Sequence, residues 1–320
     1  MPINADKPHL WKADTRASVD QFNQWFMKFA PKAYRDTRRK TIDSVEQGLT
    51  LTKDLTTITP AVIKANPGIL PTLRMSTCPQ LARDRLIGLA DSTKNLVGTL
   101  EDGKVPPHLS PELLEMHLAR ITKILSQMLD VDIFPWIAEK RKASKEERYR
   151  SSTIVADRLC GAVAEPIVRN AQEKRQLALI EKYLTDRGYK LKAHPAATPL
   201  HQMEPGTFCF RMNVLVKPSK AEAKTVKIPI DAVIQPKKTK LPNLPLLIEA
   251  KSAGDFTNVN KRRKEEAIKI NYLKATYGEE VKFILFLCGY FDAAYLGYEA
   301  AEGIDWIWEH RTQDLDQLGI

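Results

Sequence analysis

The chain has 320 residues, of which 43% are hydrophobic, and it carries a formal net charge of +10 at pH 7. This length allows one large domain or two modest ones, and the apolar content supports a sizeable core. The longest apolar run, around Phe283–Cys288, is far too short to span a bilayer, which excludes a membrane protein. The excess of lysine and arginine favours a polyanionic partner, although many basic proteins bind no nucleic acid.

The short motifs of several other protein classes are missing from the sequence. The four cysteines are scattered, without C-x-x-C spacing, and are expected to be reduced core residues: Cys78, Cys160, Cys209 and Cys288. No glycine-rich phosphate loop is present, so no nucleotide cofactor is expected, and the six histidines lack metal-ligand spacing. The N-terminus has no signal-peptide pattern, so we expect a soluble, cytoplasmic protein of a prokaryotic cell.

Residues 1 to about 150 are predicted to be mainly helical. Ser18–Gln21 fits a capping box, aromatic residues follow it at helical spacing, and Pro31 is expected to end this helix. Thr59–Pro60 and Ser110–Pro111 each offer an N-cap followed by proline at the first helical position.

Three arginines lie between these two predicted helix starts: Arg74, Arg83 and Arg85. Arginine side chains bind phosphates and read guanine edges in the major groove of DNA. The alternative is that they cap helices and pair with Asp84 or Asp91. The sequence leaves both interpretations open.

A charged stretch, Lys140–Arg150, predicts a surface connection between two regions. The boundary divides the chain into a mainly helical region, residues 1–150, and a second region, residues 151–320. The second region opens with a helical pattern over about 153–187, which we expect to be interrupted near Pro166.

Apolar runs in the second region predict strands, and helical patterns lie between some of them. The predicted strands are Phe208–Val216, Val226–Ile234, Leu244–Lys251, Val281–Leu287 and Ile304–Glu309. The predicted helices among them are Asn260–Lys274 and Phe291–Ala301. The expected fold class is α/β in the broad sense, more closely α+β, with a mixed β-sheet flanked by helices.

Acidic and basic residues lie at the ends of two of these strands. Glu249 and Lys251 share a strand face, roughly 7 Å apart, because side chains alternate along a strand. If the two strands are neighbours, Asp231 faces Glu249 and an ammonium stands beside two carboxylates. Mg²⁺ prefers carboxylate and carbonyl oxygens, so Asp231, Glu249 and the backbone carbonyl of Ala250 are predicted metal ligands. Lys251 is expected near the metal-bound water, an arrangement that suits phosphodiester hydrolysis.

The same spacing also occurs by chance, and most copies of it are solvated charges or salt bridges. Glu249 follows the apolar run Leu246–Ile248, where an unpaired carboxylate is costly to bury. A bound metal is one good reason to place a carboxylate there.

The triplets Pro229-Ile230-Asp231 and Glu249-Ala250-Lys251 match the PD-(D/E)XK nuclease signature. Longer blocks across most of the chain resemble the XamI family of type II restriction endonucleases. These blocks are Leu73–Pro79, Ala82–Leu86, Asp157–Ala162, Arg169–Glu173 and Lys251–Asn258.

The resemblance implies a PD-(D/E)XK nuclease core in residues 151–320 and a DNA-contacting or dimerising role for residues 1–150. It implies Mg²⁺-dependent cleavage of double-stranded DNA at a short, palindromic site, in defence against foreign DNA. A homodimer would then present one catalytic centre to each strand.

Glu173 lies on the predicted apolar face of a helix, in line with residues such as Leu177, and therefore needs a partner. The resemblance implies that this helix packs on the catalytic sheet, where Glu173 would add a carboxylate to the metal site. A structural salt bridge with Arg158 or Arg169 is the alternative.

Two basic clusters flank the predicted catalytic strands. Lys237, Lys238 and Lys240 fill the loop after the strand of Asp231, and Lys261, Arg262 and Arg263 begin the next helix. Both clusters are predicted to contact the DNA backbone. Cations at a helix start oppose the helix dipole, which indicates a functional demand there. The alternative for both is a solvated surface.

Two other functions remain open at the level of sequence. One is a basic DNA-binding module whose nuclease-like core is inactive. The other is a structure-specific repair or recombination nuclease of the same fold.

Overall fold

The computed structural model describes residues 2–195, 199–218, 225–239, 243–257 and 259–320, with the side chains of 163–165 and 259–262 left out. The α-helices are α1 (Pro8–Leu51), α2 (Pro60–Ala65), α3 (Leu70–Met75), α4 (Arg83–Leu89), α5 (Lys94–Glu101), α6 (Pro111–Gln127), α7 (Pro135–Ala138), α8 (Lys145–Asp186), α9 (Val259–Tyr277) and α10 (Ala293–Ala301). The strands are β1 (Lys190–Leu191), β2 (Thr207–Val216), β3 (Val226–Ile234), β4 (Leu246–Ala253), β5 (Lys282–Gly289) and β6 (Asp305–Trp308).

The strands form one mixed sheet in the order β1-β2-β3-β4-β5-β6. β3 runs antiparallel to both β2 and β4, whereas β4, β5 and β6 are mutually parallel and β1 is parallel to β2. The helices α9 and α10 supply the crossovers that parallel strands require. The predicted fold class, a mixed sheet with helices and a helical N-terminal region, is confirmed.

The chain divides into two compact units. The sheet unit comprises the residues up to Phe29 together with Val168–Ile320, and the helical unit comprises Ala30–Ile167. The long helices α1 and α8 each contribute residues to both units.

Both faces of the sheet are covered by apolar side chains from helices. On one face, Leu247 and Leu285 pack in a core with Leu273 of α9 and Leu296 of α10. On the other, residues such as Ile248 and Phe286 pack in a core with three residues of α8: Leu177, Ile180 and Leu184. Burial on both faces explains the nearly continuous apolar sequences of β4 and β5.

The simple alternation expected along β3 is wrong at Asp231. Ile230 and Val233 pack in the core on one face of the sheet, whereas Ala232 packs in the core on the other face. The side chains before and after Asp231 therefore do not follow one continuous alternation. The neighbouring β2 has a matching irregularity at Arg211, whose φ is 51° and which lies between the paired positions Phe210↔Ala232 and Met212↔Ile230. Such an irregularity bends a strand and redirects a side chain, and here it lies beside Asp231.

Three local predictions about the helices are wrong. Pro31 does not end a helix, because α1 continues through it, and Pro166 does not interrupt α8. Each helix has buried apolar residues before and after its proline, and their burial opposes the cost of the lost hydrogen bond. Ser18 lies inside α1 and does not cap it. Its hydroxyl instead accepts a hydrogen bond from the backbone N–H of Gly289 at 2.8 Å.

Other local features follow the sequence more closely. Thr59 and Ser110 cap α2 and α6, each with proline at the start of the helix. The charged stretch 140–150 is a connection only up to α8, which begins at Lys145. The four cysteines are free thiols, as predicted, but Cys78 is exposed and is therefore not a core residue. Across the described ranges, no helix is long and apolar enough to cross a bilayer.

Candidate active site

The site begins where β3 and β4 separate. The last paired positions are Ala232↔Ile248, and continuing this register by one residue places Asp231 opposite Glu249. Instead of a further ladder bond, Oδ2 of Asp231 accepts a hydrogen bond from the backbone N–H of Ala250 at 2.8 Å. The carboxylates of Asp231 and Glu249 therefore lie next to each other at the point where the pairing of β3 and β4 ends.

Lys251, which is on the same strand as Glu249, lies beside the two acids. Its Nζ lies 3.2 Å from Oε1 of Glu249, and its side chain is 16% exposed. Helix α8 braces this strand from the other side of the sheet, where the amide of Gln176 donates to the carbonyl oxygens of Lys251 and Phe286. The structure therefore brings Asp231, Glu249 and Lys251 into one cluster.

A second lysine, which the sequence did not reveal, belongs to the same cluster. Lys269 of α9 lies 2.5 Å from Oε1 of Glu249, and it also donates to the carbonyl oxygen of Pro229 at 3.1 Å. A usable signal was the spacing within α9, since residues three apart share a helix face and Glu266 lies three residues before Lys269. This spacing points to Lys269 only if it is already known that this face of α9 packs against the sheet.

Two more acids lie behind Lys251. The side chain of Glu266 is fully buried, and Oε1 lies 3.4 Å from Nζ of Lys251. The hydroxyl of Tyr295, on α10, donates to Oε2 of Glu266 at 2.9 Å. Glu299 is also fully buried, beside Glu266 and Tyr295.

Burial and crowding of like charges change the proton affinities in this cluster. Burial, followed by repulsion from Glu249, raises the pKa of Asp231 to about 6. Burial, followed by repulsion from Glu266, raises the pKa of Glu299 to about 8. Burial alone would lower the pKa of Lys251, but attraction to Glu249 and Glu266 outweighs it and the pKa is raised. The two neighbouring carboxylates therefore favour the ammonium form of Lys251.

The donor set suits a hard divalent cation. Oε2 of Glu249 is buried and lacks a hydrogen-bond partner among the described residues. Beside it are the carboxylate of Asp231 and the backbone carbonyl of Ala250, and such oxygen donors are those that Mg²⁺ takes. Throughout the described ranges, no group of three or more histidine, cysteine or acidic residues is arranged to hold a metal. The candidate set has two acidic residues, so a metal here would depend on the carbonyl and on water for its other ligands.

Glu173 forms a salt bridge, although with neither of the two expected partners. Its Oε1 lies 2.8 Å from a guanidinium nitrogen of Arg211, in the strand position next to Asp231. Arg158 instead pairs with Asp130 at 3.0 Å, in the helical unit. The role of Glu173 toward a metal stays a prediction.

The arginines of the helical unit differ sharply in their surroundings. Arg74 is buried, pairs with Glu101 at 2.5 Å and donates to the carbonyl of Leu81. Arg83 also pairs with Glu101 at 2.5 Å, with 47% of its side chain exposed. Arg85 is exposed on α4. Arg85 and part of Arg83 are therefore accessible to DNA, whereas Arg74 is engaged within the core.

The basic clusters near the catalytic strands are partly described. Lys237 is exposed, donates to the carbonyl of Arg187 and lies 5.1 Å from the ring centre of Tyr189. Lys238 is exposed. The guanidinium of Arg263 stacks 3.7 Å from the ring centre of Tyr298. Lys240 and the side chains of Lys261 and Arg262 lie outside the described residues.

Comparison with known proteins adds an independent observation to this geometry. Residues 53–308 match the model of the XamI restriction endonuclease family. The chain belongs to the XamI restriction endonuclease family. The match includes Asp231, Glu249, Lys251 and Lys269, and it confirms the resemblance on which the sequence interpretation relied.

The chain is also similar to the type II restriction enzyme SalI of Streptomyces albus G. The two are 57% identical over 317 residues, which cover 99% of each chain. A solved structure, that of protein VC1899 from Vibrio cholerae, aligns with 80% of this chain and 55% of that one, at 12% identity and a TM-score of 0.27. Family membership makes the chain a restriction endonuclease, an enzyme that cleaves DNA.

Proposed function

We propose that this member of the XamI restriction endonuclease family is a type II enzyme that hydrolyses double-stranded DNA at a specific site with the help of Mg²⁺. The observation that supports this most directly is the convergence of Asp231, Glu249 and Lys251 where β3 and β4 separate. Oε2 of Glu249 is buried and has no hydrogen-bond partner within the described part of the chain, a detail that a salt bridge alone does not explain.

The carboxylates of Asp231 and Glu249 and the carbonyl of Ala250 would hold the metal. A bound Mg²⁺ supplies a Lewis acid and lowers the pKa of a coordinated water. The hydrogen bond from the N–H of Ala250 orients Asp231 toward Glu249. The flanking strands fix the backbone, so the donors are held in place before any ligand arrives.

Lys251 acts as a positive charge. Because its pKa is raised, it stays protonated and can stabilise negative charge that develops on the scissile phosphate. It also favours the deprotonated form of a nearby water. Its burial makes that charge more effective than it would be in bulk solvent.

The DNA contacts are proposed for exposed cations, such as Arg85 and Lys238. Lysine and arginine at the surface bind phosphates with release of counterions. A homodimer acting on a palindromic site would match protein symmetry to DNA symmetry, since each strand needs one catalytic centre. The proposal of a dimer is supported by the family resemblance and not by a particular surface of this chain.

The test is digestion of phage DNA by the purified full-length protein with Mg²⁺. Discrete fragments are expected from the wild type, and no fragments from Asp231→Ala, Glu249→Ala or Lys251→Ala. DNA affinity should be retained at least in Lys251→Ala. The matched control is Lys274→Ala, which removes a lysine that lies on the same helix as Lys269 and pairs with exposed Glu279.

Each other outcome has a defined meaning. Cleavage by any of the three variants contradicts the assignment of that residue. A mobility shift with no cutting at all would indicate a DNA-binding module with an inactive core. Cutting of branched DNA in preference to linear DNA would indicate a structure-specific nuclease.

A further inference from the structure

The ammonium of Lys251 contacts a second carboxylate besides that of Glu249. Its Nζ lies 3.2 Å from Glu249 and 3.4 Å from Glu266. The two acids differ in role, because Glu249 belongs to the proposed metal site whereas Glu266 lies in α9 with a fully buried side chain. Glu266 is therefore in a position to affect Lys251 without touching the substrate.

Helix α10 fixes the carboxylate of Glu266 from behind. The hydroxyl of Tyr295 donates to Oε2 of Glu266 at 2.9 Å, which leaves Oε1 toward Lys251. Tyr295 is itself anchored, since its backbone N–H donates to the side chain of Asp292 at the start of α10 at 2.8 Å. The carboxylate thus has one oxygen held by a helix and the other facing the lysine.

Glu299 completes this arrangement as a neutral acid. Its carboxyl group contacts that of Glu266, and two carboxyl groups share a hydrogen bond only if one of them is protonated. Its raised pKa of about 8 favours a proton on Glu299 at neutral pH. Burial raises the pKa of Glu266 as well, but attraction to Lys251 and hydrogen bonds from Tyr295 and Glu299 favour its ionised form.

We infer that Glu266 is a positioning residue, whose carboxylate, held by Tyr295 and Glu299, keeps the ammonium of Lys251 in place beside Asp231 and Glu249. The inference rests on the proposed function of Lys251. Lysine has a long, flexible side chain, so its charge needs a fixed partner to be placed accurately. When a cation engages Glu249, that carboxylate attracts Lys251 less, and Glu266 is the partner that remains.

The experiment compares single-turnover cleavage and DNA binding in the full-length protein with Mg²⁺. Glu266→Gln keeps the size of the side chain but removes its charge. We expect a loss of roughly 10- to 100-fold in the cleavage rate, the usual range for residues that orient groups at a metal site. The dissociation constant for DNA should change less than about twofold, because the side chain of Glu266 is fully buried.

Two further variants separate positioning from a general effect on the fold. Glu265→Gln makes the same chemical change at the adjacent, exposed position of α9, and it should cleave at the wild-type rate. Tyr295→Phe removes the hydroxyl that holds Glu266 and should slow cleavage roughly tenfold, as the loss of one hydrogen bond to a charged group allows. Should Glu266→Gln fail to fold, Tyr295→Phe decides the question, and cleavage by Tyr295→Phe at the wild-type rate would overturn the inference.

The outcomes distinguish this inference from the proposed function. If the wild type does not cleave, or if Lys251→Ala still does, the role of Lys251 is wrong and this inference fails with it. If the wild type cleaves, Lys251→Ala is inactive and Glu266→Gln cleaves at the wild-type rate, only this inference is wrong. An equal loss in Glu265→Gln, or a loss in DNA affinity without a loss in rate, would also overturn it.

Discussion

Lys269 and Glu249 form the shortest ion pair that the structure shows at the candidate site, with Nζ 2.5 Å from Oε1. Lys251 approaches the same oxygen at 3.2 Å. One carboxylate oxygen therefore faces two ammonium groups, while Oε2 lacks a hydrogen-bond partner among the described residues. A divalent cation that binds Glu249 must compete with the charge of Lys269.

This competition gives a first prediction, for Lys269→Gln. Removal of the charge should strengthen the binding of Mg²⁺ or Mn²⁺ by roughly tenfold, since a unit charge at about 4 Å contributes about 1 to 4 kcal/mol, depending on the dielectric. Calorimetric titration of the metal without DNA measures the change. Lys274→Gln, on the same helix but paired with exposed Glu279, serves as the control. Unchanged or weaker metal affinity in Lys269→Gln would show that Lys269 does not oppose the metal.

The second prediction concerns stability against pH and the buried acid Glu299. Its pKa rises from 4.5 in the unfolded chain to about 8 in the fold. At pH values well below 4.5, Glu299 is neutral in both the folded and the unfolded state, so its ionisation does not affect stability. As pH rises toward 8, the unfolded chain loses this proton while the folded protein keeps it, so stability falls.

Glu299→Gln should remove this loss. The variant should have a flatter stability curve between pH 4.5 and 8, by up to about 1.4 kcal/mol per pH unit, and should be more stable than the wild type above pH 8. Urea unfolding at several pH values without metal measures this. Glu302→Gln, at an exposed position at the end of the same helix, should leave the slope unchanged. Parallel curves for Glu299→Gln and the wild type would show that Glu299 is ionised in the fold.

Strand periodicity placed Glu249 and Lys251 on one face of a strand, and the PD-(D/E)XK resemblance singled out Asp231 together with them. β3 and β4 are neighbours and the register places Asp231 next to Glu249, but both acids lie within their strands and not at the strand ends that the sequence suggested. The predicted strands also differ from the observed ones by at most about two residues at each end. These features are local, because the order of apolar and polar residues within a strand determines its buried face and its extent.

Lys269 and Glu266 were not predicted, for a different physical reason. In the sequence both look like charges on a solvated helix, because their partners lie on β4 and on α10, far away along the chain. Pro31 is the opposite case. It is a strong local signal for a helix end, but α1 continues through it because tertiary packing overrides local propensity. The one-residue shift at Asp231 also depends on a neighbouring strand, through Arg211.

A third prediction separates two arginines of the helical unit. Arg74→Ala should destabilise the protein by about 3 kcal/mol, because it leaves Glu101, whose side chain is 4% exposed, with one fewer partner. Arg85→Ala, at an exposed position of α4, should change stability by less than about 0.5 kcal/mol. Thermal or urea unfolding of the two variants measures the difference.

The same pair of variants tests the DNA contact. Arg85→Ala should weaken DNA binding and reduce the dependence of log affinity on log salt concentration by about 1, as the loss of one phosphate contact does. Arg74→Ala should leave that slope unchanged under conditions where it is folded. A reduced slope in Arg74→Ala with no loss of stability would reverse the assignment of the two residues.

The last prediction concerns the ion pair of Glu173 and Arg211, which lies beside the site. The two side chains are 33% and 56% exposed, so the pair should contribute no more than about 1 kcal/mol to stability. The ion pair holds the side chain of Arg211, which lies in the irregular part of β2 next to Asp231. Glu173 thus has a guanidinium partner at 2.8 Å, which competes with any metal for its carboxylate.

We therefore expect Glu173→Gln to change Mg²⁺ affinity by less than about threefold, whereas Asp231→Asn should reduce it by at least tenfold through loss of a ligand. Arg211→Gln is the matched control, since it frees the carboxylate of Glu173 without removing it. If Glu173 is only the partner of Arg211, both variants should bind metal like the wild type in a calorimetric titration. If Glu173 is a ligand, Glu173→Gln should bind metal weakly and Arg211→Gln more tightly than the wild type. That opposite response would exclude a purely structural salt bridge.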